Sequence, residues 1–233
     1  MSFALAVTNV SLIRDGRPRQ TVLDGVSFMV PKGQIVSLIG QNGAGKTTLL
    51  KIIAGLLSPS RGSITINSPR IGFMPEQPGF LPAVTAWQWL VLTGGLLNLN
   101  RSESKHQADL WLRRVGLHTA RHQPIGRLSK GMRQRLAFAQ AALGDPQLLL
   151  LDEPLDGLDP IGRQDLKGLI LAARDNGTTV ILCSHILSDI DELSDRLGVI
   201  DHGQLKFFGD TASFRADNDL ERSFVNFINP QHV

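Results

Sequence analysis

Residues 35–47 read Ile35-Val36-Ser37-Leu38-Ile39-Gly40-Gln41-Asn42-Gly43-Ala44-Gly45-Lys46-Thr47. An apolar, β-branched run enters a glycine-rich turn, and a lysine and a hydroxyl residue then open a segment carrying Leu49, Leu50, Ile52 and Ile53. Strand, turn and helix in that order are the context in which two glycines spaced around four residues and followed by Lys-Thr form a phosphate loop. The glycines let successive backbone N–H groups curl towards phosphate oxygens, with the helix N-terminus behind them. Lys46 is placed to reach β- and γ-phosphates, and Thr47 to bind Mg²⁺ through its hydroxyl.

Further apolar runs recur at residues 34–39, 63–66, 71–74, 147–151, 179–183 and 197–200. Runs as unbroken as Leu148 to Leu151 suit central parallel strands covered by helices on both faces, so the expected core is α/β. Alternation of Val26, Phe28 and Val30 with Ser27 and Met29, together with residues 5–10, predicts a small antiparallel sheet at the N-terminus. Helices are expected at 46–56, 85–98, 102–115, 130–143, 161–174, 188–193 and 211–228. Asp152 and Glu153 follow a predicted parallel strand at its C-terminal end, where such sheets bind ligands. Asp152 fits the Mg²⁺ hydration shell and Glu153 the water that attacks phosphate. Lys46 and Asp152 are 106 positions apart, far beyond a parallel crossover of roughly a dozen residues. A mostly helical insert at 83–129 is expected to protrude from a core formed by 1–82 and 130–210, with a helical tail at 211–233, all within one domain.

The 233 residues carry 24 Lys plus Arg against 21 Asp plus Glu, a net charge of +3 too small to argue for a nucleic-acid partner. The single cysteine, Cys183, forms no intramolecular disulfide and sits beside Val180, Ile181 and Leu182, as an inert buried thiol would. The N-terminus lacks a secretory pattern, which predicts a cytoplasmic protein. Residues 77–100 carry no charge, yet Pro78, Gly79, Pro82, Gly94 and Gly95 interrupt them, and Thr85 with Gln88 reads as a capping box. About four turns remain, which is short for a bilayer span; the apolar face fills the insert's core or receives a partner. His118 and His122 have metal-compatible spacing but no acidic or cysteine neighbours, so the metal expected is Mg²⁺ alone.

Four more elements make the sequence resemble the ATP-binding cassette (ABC) transporter family over about residues 3–209. Gln77 resembles the glutamine that senses Mg²⁺ and the attacking water. Leu128-Ser129-Lys130-Gly131-Met132 is similar to the family signature, Leu158-Asp159 to the loop that crosses the dimer interface, and His185 to the γ-phosphate histidine. The resemblance implies ATP and Mg²⁺ as cofactors, with Gly40, Asn42, Gly43, Ala44, Gly45, Lys46, Thr47, Thr48, Ser129, Gly131 and Asp159 binding nucleotide. It implies Thr47, Gln77 and Asp152 at the metal, and Glu153, His185 and Gln77 in hydrolysis. It also implies a homodimer, or a pseudo-symmetric heterodimer, that clasps two ATP head to tail on the cytoplasmic face of a membrane beside a separate permease.

The form Ser129 to Arg135 looks like the type-2 exporter branch. An importer subunit is the alternative, followed by a non-transport cassette ATPase of DNA repair or translation and a phosphoryl-transferring P-loop kinase. Lys130 and Met132 depart from the usual second glycine and final glutamine of the signature, and Leu155-Asp156 from the commoner Thr-Ser. No aromatic residue lies in 11–24, so Arg14 or Arg17 is expected to cover the adenine, a cation–π contact of roughly 0.5 to 2 kcal/mol.

Overall fold

A computed structural model describes residues 3–14, 19–215 and 219–228. Three antiparallel strands, β1 (Phe3–Arg14), β2 (Gln20–Pro31) and β4 (Arg61–Ile66), form one sheet in the order β2-β1-β4. The first two run longer than their alternation predicts, because register shifts between Val7 and Val10 absorb the extra residues, with Asn9 at φ 50°.

The second sheet has six strands in the order β5 (Ile71–Met74), β6 (Leu148–Asp152), β7 (Thr179–Cys183), β3 (Ile35–Ile39), β8 (Arg196–Asp201) and β9 (Gln204–Asp210). The first five are parallel and β9 returns antiparallel on β8. Every residue of β3, β6 and β7 is buried. The period of two explains why these runs are unbroken. On β6, Leu148 and Leu150 pack with Leu49, Leu50 and the inner face of the antiparallel sheet, whereas Leu149 and Leu151 face the other way, with Leu136, Phe138, Leu166 and Ile170. Helix α1 (Lys46–Ile53) is thus held between the two sheets.

The chain leaves β5 for α2 (Ala86–Leu96) and α3 (Arg101–Arg114), and re-enters the core along α4 (Lys130–Ala142). The capping box is present: Gln88 N donates to Thr85 Oγ1 at 3.2 Å and Thr85 N to Gln88 Oε1 at 3.0 Å. A second box, Asn100 with Glu103, starts α3. No helix among the described residues is long and apolar enough to cross a membrane. Helices α5 (Pro160–Asp175) and α6 (Leu187–Leu193) flank β7 in the sequence.

Two expectations need correction. The apolar runs do not include β9; His202 and Gly203, both at positive φ, make the two-residue turn that sends the chain back on β8. The helix expected at 211–228 is two helices, α7 (Thr211–Phe214) and α8 (Leu220–Ile228). Arg215 is extended, and Asp219 starts α8 by accepting from Arg222 N at 3.0 Å. Leu220, Phe224 and Ile228 pack on Ile39, Ile190, Leu197 and Val199.

Candidate functional site

Gly45 has a left-handed φ of 109°, and a Cβ there would lie 2.7 Å from Leu23 Cδ2 and 2.9 Å from Val22 O. Glycine therefore lets the turn pack against β2 just before α1 begins. Lys46 is buried, and its Nζ donates to Gly40 O at 2.7 Å and Gln41 O at 3.2 Å, closing the loop on itself. Residues 42–48 line a cavity of about 540 Å³ together with Arg14, Glu76, Glu153, Asp156 and His185.

Strand β6 delivers the carboxylates. Thr47 Oγ1 donates to Asp152 Oδ1 at 3.1 Å, whereas Asp152 Oδ2 is buried with no hydrogen-bond partner. Burial first, and Glu76 further, push the Asp152 carboxyl above the usual carboxylate range. An orphaned buried oxygen beside a threonine hydroxyl suits a hard cation that is also bound by phosphate oxygens, so Asp152 and Thr47 fit Mg²⁺. A raised folded pKa means that the ligand-free fold prefers neutral Asp152, so its ionisation destabilises the fold above the ordinary carboxylate range. Asp152→Asn is expected to raise the melting midpoint of the ligand-free chain at neutral pH, by about 2 to 4 °C per kcal/mol relieved. The gain should vanish as pH falls below the carboxylate range. A differential scanning fluorimetry series across pH checks this, and a midpoint that drops at neutral pH would contradict it.

Glu153 stands at φ 49°, a left-handed conformation uncommon outside glycine. Its N–H donates to Cys183 O at 3.0 Å, and its carbonyl accepts from the buried Gln134 Nε2 on α4 at 2.7 Å. So fixed, its side chain accepts from His185 Nδ1 at 2.9 Å. Burial raises the Glu153 carboxyl despite the opposing pull of His185. Cys183 is fully buried, and burial pushes its thiol well up, as an inert packing residue requires.

A profile of the ABC transporter family matches residues 23–156, more than half of the chain. The chain belongs to the ABC transporter family. Lantibiotic transport ATP-binding protein SrtF of Streptococcus pyogenes is 36% identical over 218 residues, 90% of this chain and 92% of that protein. An uncharacterized ABC transporter ATP-binding protein of Synechocystis is 36% identical over 208 residues, 84% of this chain and 59% of that protein. One from Nostoc is 39% identical over 194 residues, 78% of this chain and 58% of that protein, so the chain spans about three fifths of these two cyanobacterial relatives. A solved structure described as an ATP binding subunit of an ABC transporter superposes with a TM-score of 0.88 at 29% identity, covering 98% of this chain and 100% of that one. The α/β core with its antiparallel N-terminal sheet is the ABC ATPase fold.

The ABC motifs fall into two groups in space. Residues 42–48 of the phosphate loop, Glu153 and His185 line the cavity, Asp152 joins them through Thr47, and Gly40 accepts from Lys46. Ser129, Gly131 and Asp159 do not line it. Ser129 caps α4 by accepting from Met132 N at 3.2 Å, and Asp159 caps α5 by accepting from Gly162 N at 2.7 Å. The two caps are neighbours: a Cβ on Gly131 would lie 3.4 Å from Leu158 Cδ2 and 3.5 Å from Gly157 O.

Gln77 is exposed and does not line the cavity, whereas Glu76 does. Strand β5 ends at Met74, which pairs with Leu151 on β6, and in the bend that follows it is Glu76, one position before Gln77, that reaches the cavity wall. Arg14 reaches the cavity wall, and Arg17 lies outside the described residues.

Proposed function

We propose that this chain is the ATP-binding and ATP-hydrolysing subunit of an ABC membrane exporter, peripheral on the cytoplasmic face and driven by head-to-tail pairing of two cassettes around two ATP. The observation that carries the reading is the separation of Ser129, Gly131 and Asp159 from the phosphate cavity. Helix N-termini grouped away from the chain's own phosphate loop suit the nucleotide of a second copy.

In this reading the loop N–H groups and Lys46 hold the β- and γ-phosphates, and Arg14 covers the base. Glu153 takes a proton from the attacking water at its carboxylate, and His185, held at Nδ1 by Glu153, offers its other ring nitrogen to the terminal phosphate. Thr47 and Asp152 hold Mg²⁺, with Glu76 beside them in place of Gln77; the ion, when bound, offsets phosphate charge. Transport is supported by SrtF and by the bacitracin transport ATP-binding protein BcrA of Enterococcus faecalis, 36% identical over 197 residues, and the exporter reading by the form of Ser129 to Arg135.

A separate permease would dock on the insert and the segment leading into it, where Leu92 and Leu96 on the insert and Leu81 just before it are exposed, Leu96 to 77%. Purified chain should bind MgATP and release phosphate, with Lys46→Ala weakening binding; a phosphorylated small molecule in place of free phosphate would argue for a kinase. Leu92→Asp with Leu96→Asp should remove the permease from affinity-purified membrane extracts while MgATP binding persists. Retained permease would refute this docking face.

A further inference from the structure

Two departures from the family pattern meet in space. Lys130 Nζ lies 2.8 Å from Asp156 Oδ2, and the lysine stem crosses Gly157 so closely that a Cβ there would sit 2.6 Å from its Cδ and Cε. Asp156 lines the phosphate cavity together with Glu76 and Glu153. Three carboxylates therefore face a space meant for several phosphate charges. Lys46, the cation on the loop, has its Nζ on Gly40 O and Gln41 O. Lys130 does not line the cavity, yet it holds the Asp156 carboxyl below the usual range.

We propose that Lys130 is a positioning residue for the nucleotide: it masks the Asp156 charge at the cavity wall and so sets affinity for a polyphosphate. The pair simultaneously ties the turn at Ser129 to the loop ahead of Asp159. The inference rests on the ATP reading above. Its content is electrostatic, since an exposed ion pair adds little to stability. Without the ammonium, a bare carboxylate confronts the triphosphate, and a repulsion of about 1 kcal/mol through partly screened space weakens binding about fivefold. The penalty should scale with ligand charge and shrink with salt. A cap or packing role for Lys130 predicts neither.

Calorimetric titration of the full chain tests this, using MgATP and AMP as probes on the native protein, Lys130→Ala, Asp156→Asn, the double variant and Lys130→Arg. The expected result is an about fivefold loss of MgATP affinity in Lys130→Ala, a smaller loss for AMP, and recovery to within about twofold in the double variant and in Lys130→Arg. Raising KCl from about 0.05 to about 0.3 M should erode the loss. Melting midpoints of the variants should match the native one. Native-like MgATP binding by Lys130→Ala, or a double variant as weak as Lys130→Ala, would overturn the inference while leaving the ATP reading in place. A native chain that fails to bind MgATP at all would instead sink the ATP reading, and this inference with it.

Discussion

Glu153→Gln is expected to keep MgATP affinity within a few-fold of native and to cut phosphate release by about two to four orders of magnitude, the usual worth of a positioned general base. The substitution is nearly isosteric, and the amide oxygen can still accept from His185 Nδ1, so the 2.9 Å contact that orients the histidine survives. What disappears is the carboxylate that takes the water's proton. Removing a half-buried charge beside Asp152 and Glu76 also lowers the electrostatic cost of a bound triphosphate. Pairing of two cassettes, if ATP drives it, should therefore persist once formed, and size-exclusion chromatography with MgATP should show the variant at twice the monomer mass. The pH dependence carries the sign of the raised Glu153 carboxyl. Native turnover should fall on acidification at a pH above the ordinary carboxylate range, and the residual rate of the variant should lack that limb. Phosphate release at the native rate would mean that another group is the base.

What was legible in the sequence was local. The phosphate loop, the Thr85 capping box and the doubly buried run of β6 are each decided by residues within a few positions of one another. The misses are contacts between distant segments or conformations at single residues. Glu76 is placed at the cavity only by the bend that follows β5, beside Glu153 from a strand separated by the whole insert. Gln134 reads as one polar position on an amphipathic helix until its amide is found on the Glu153 carbonyl. Lys130 and Asp156 each looked like an isolated departure, and only folding made them a pair. The tail failed differently: its apolar spacing continues through 211–228, but Asp219 caps a new helix, and capping overrides periodicity at a break.

Lys167 should matter to the site as much as to the fold. Its Nζ lies 2.7 Å from Asp189 Oδ1 and 2.7 Å from Glu192 Oε2, with Arg163 at 3.6 Å from Asp189 Oδ2. The Lys167 and Asp189 side chains are 7% and 2% exposed. The pair joins α5, which Asp159 caps, to α6, which follows His185, so it links the two groups of motifs. Lys167→Met leaves a buried carboxylate without its main partner, and breaking such a pair costs about 3 to 5 kcal/mol. At about 2 to 4 °C per kcal/mol the melting midpoint should fall by roughly 10 °C. Burial works against the charged lysine, but Asp189 and Glu192 outweigh it and raise its pKa. The stabilisation is thus complete below the ordinary lysine range and is lost only as pH rises through the higher folded value, so the deficit should be constant from about pH 6 to 9. Adding Asp189→Asn removes the stranded charge and should recover much of the midpoint, yet the link to α6 stays broken, so turnover should recover less than stability does. A Lys167→Met midpoint within about 1 °C of native would show that Arg163 alone satisfies Asp189.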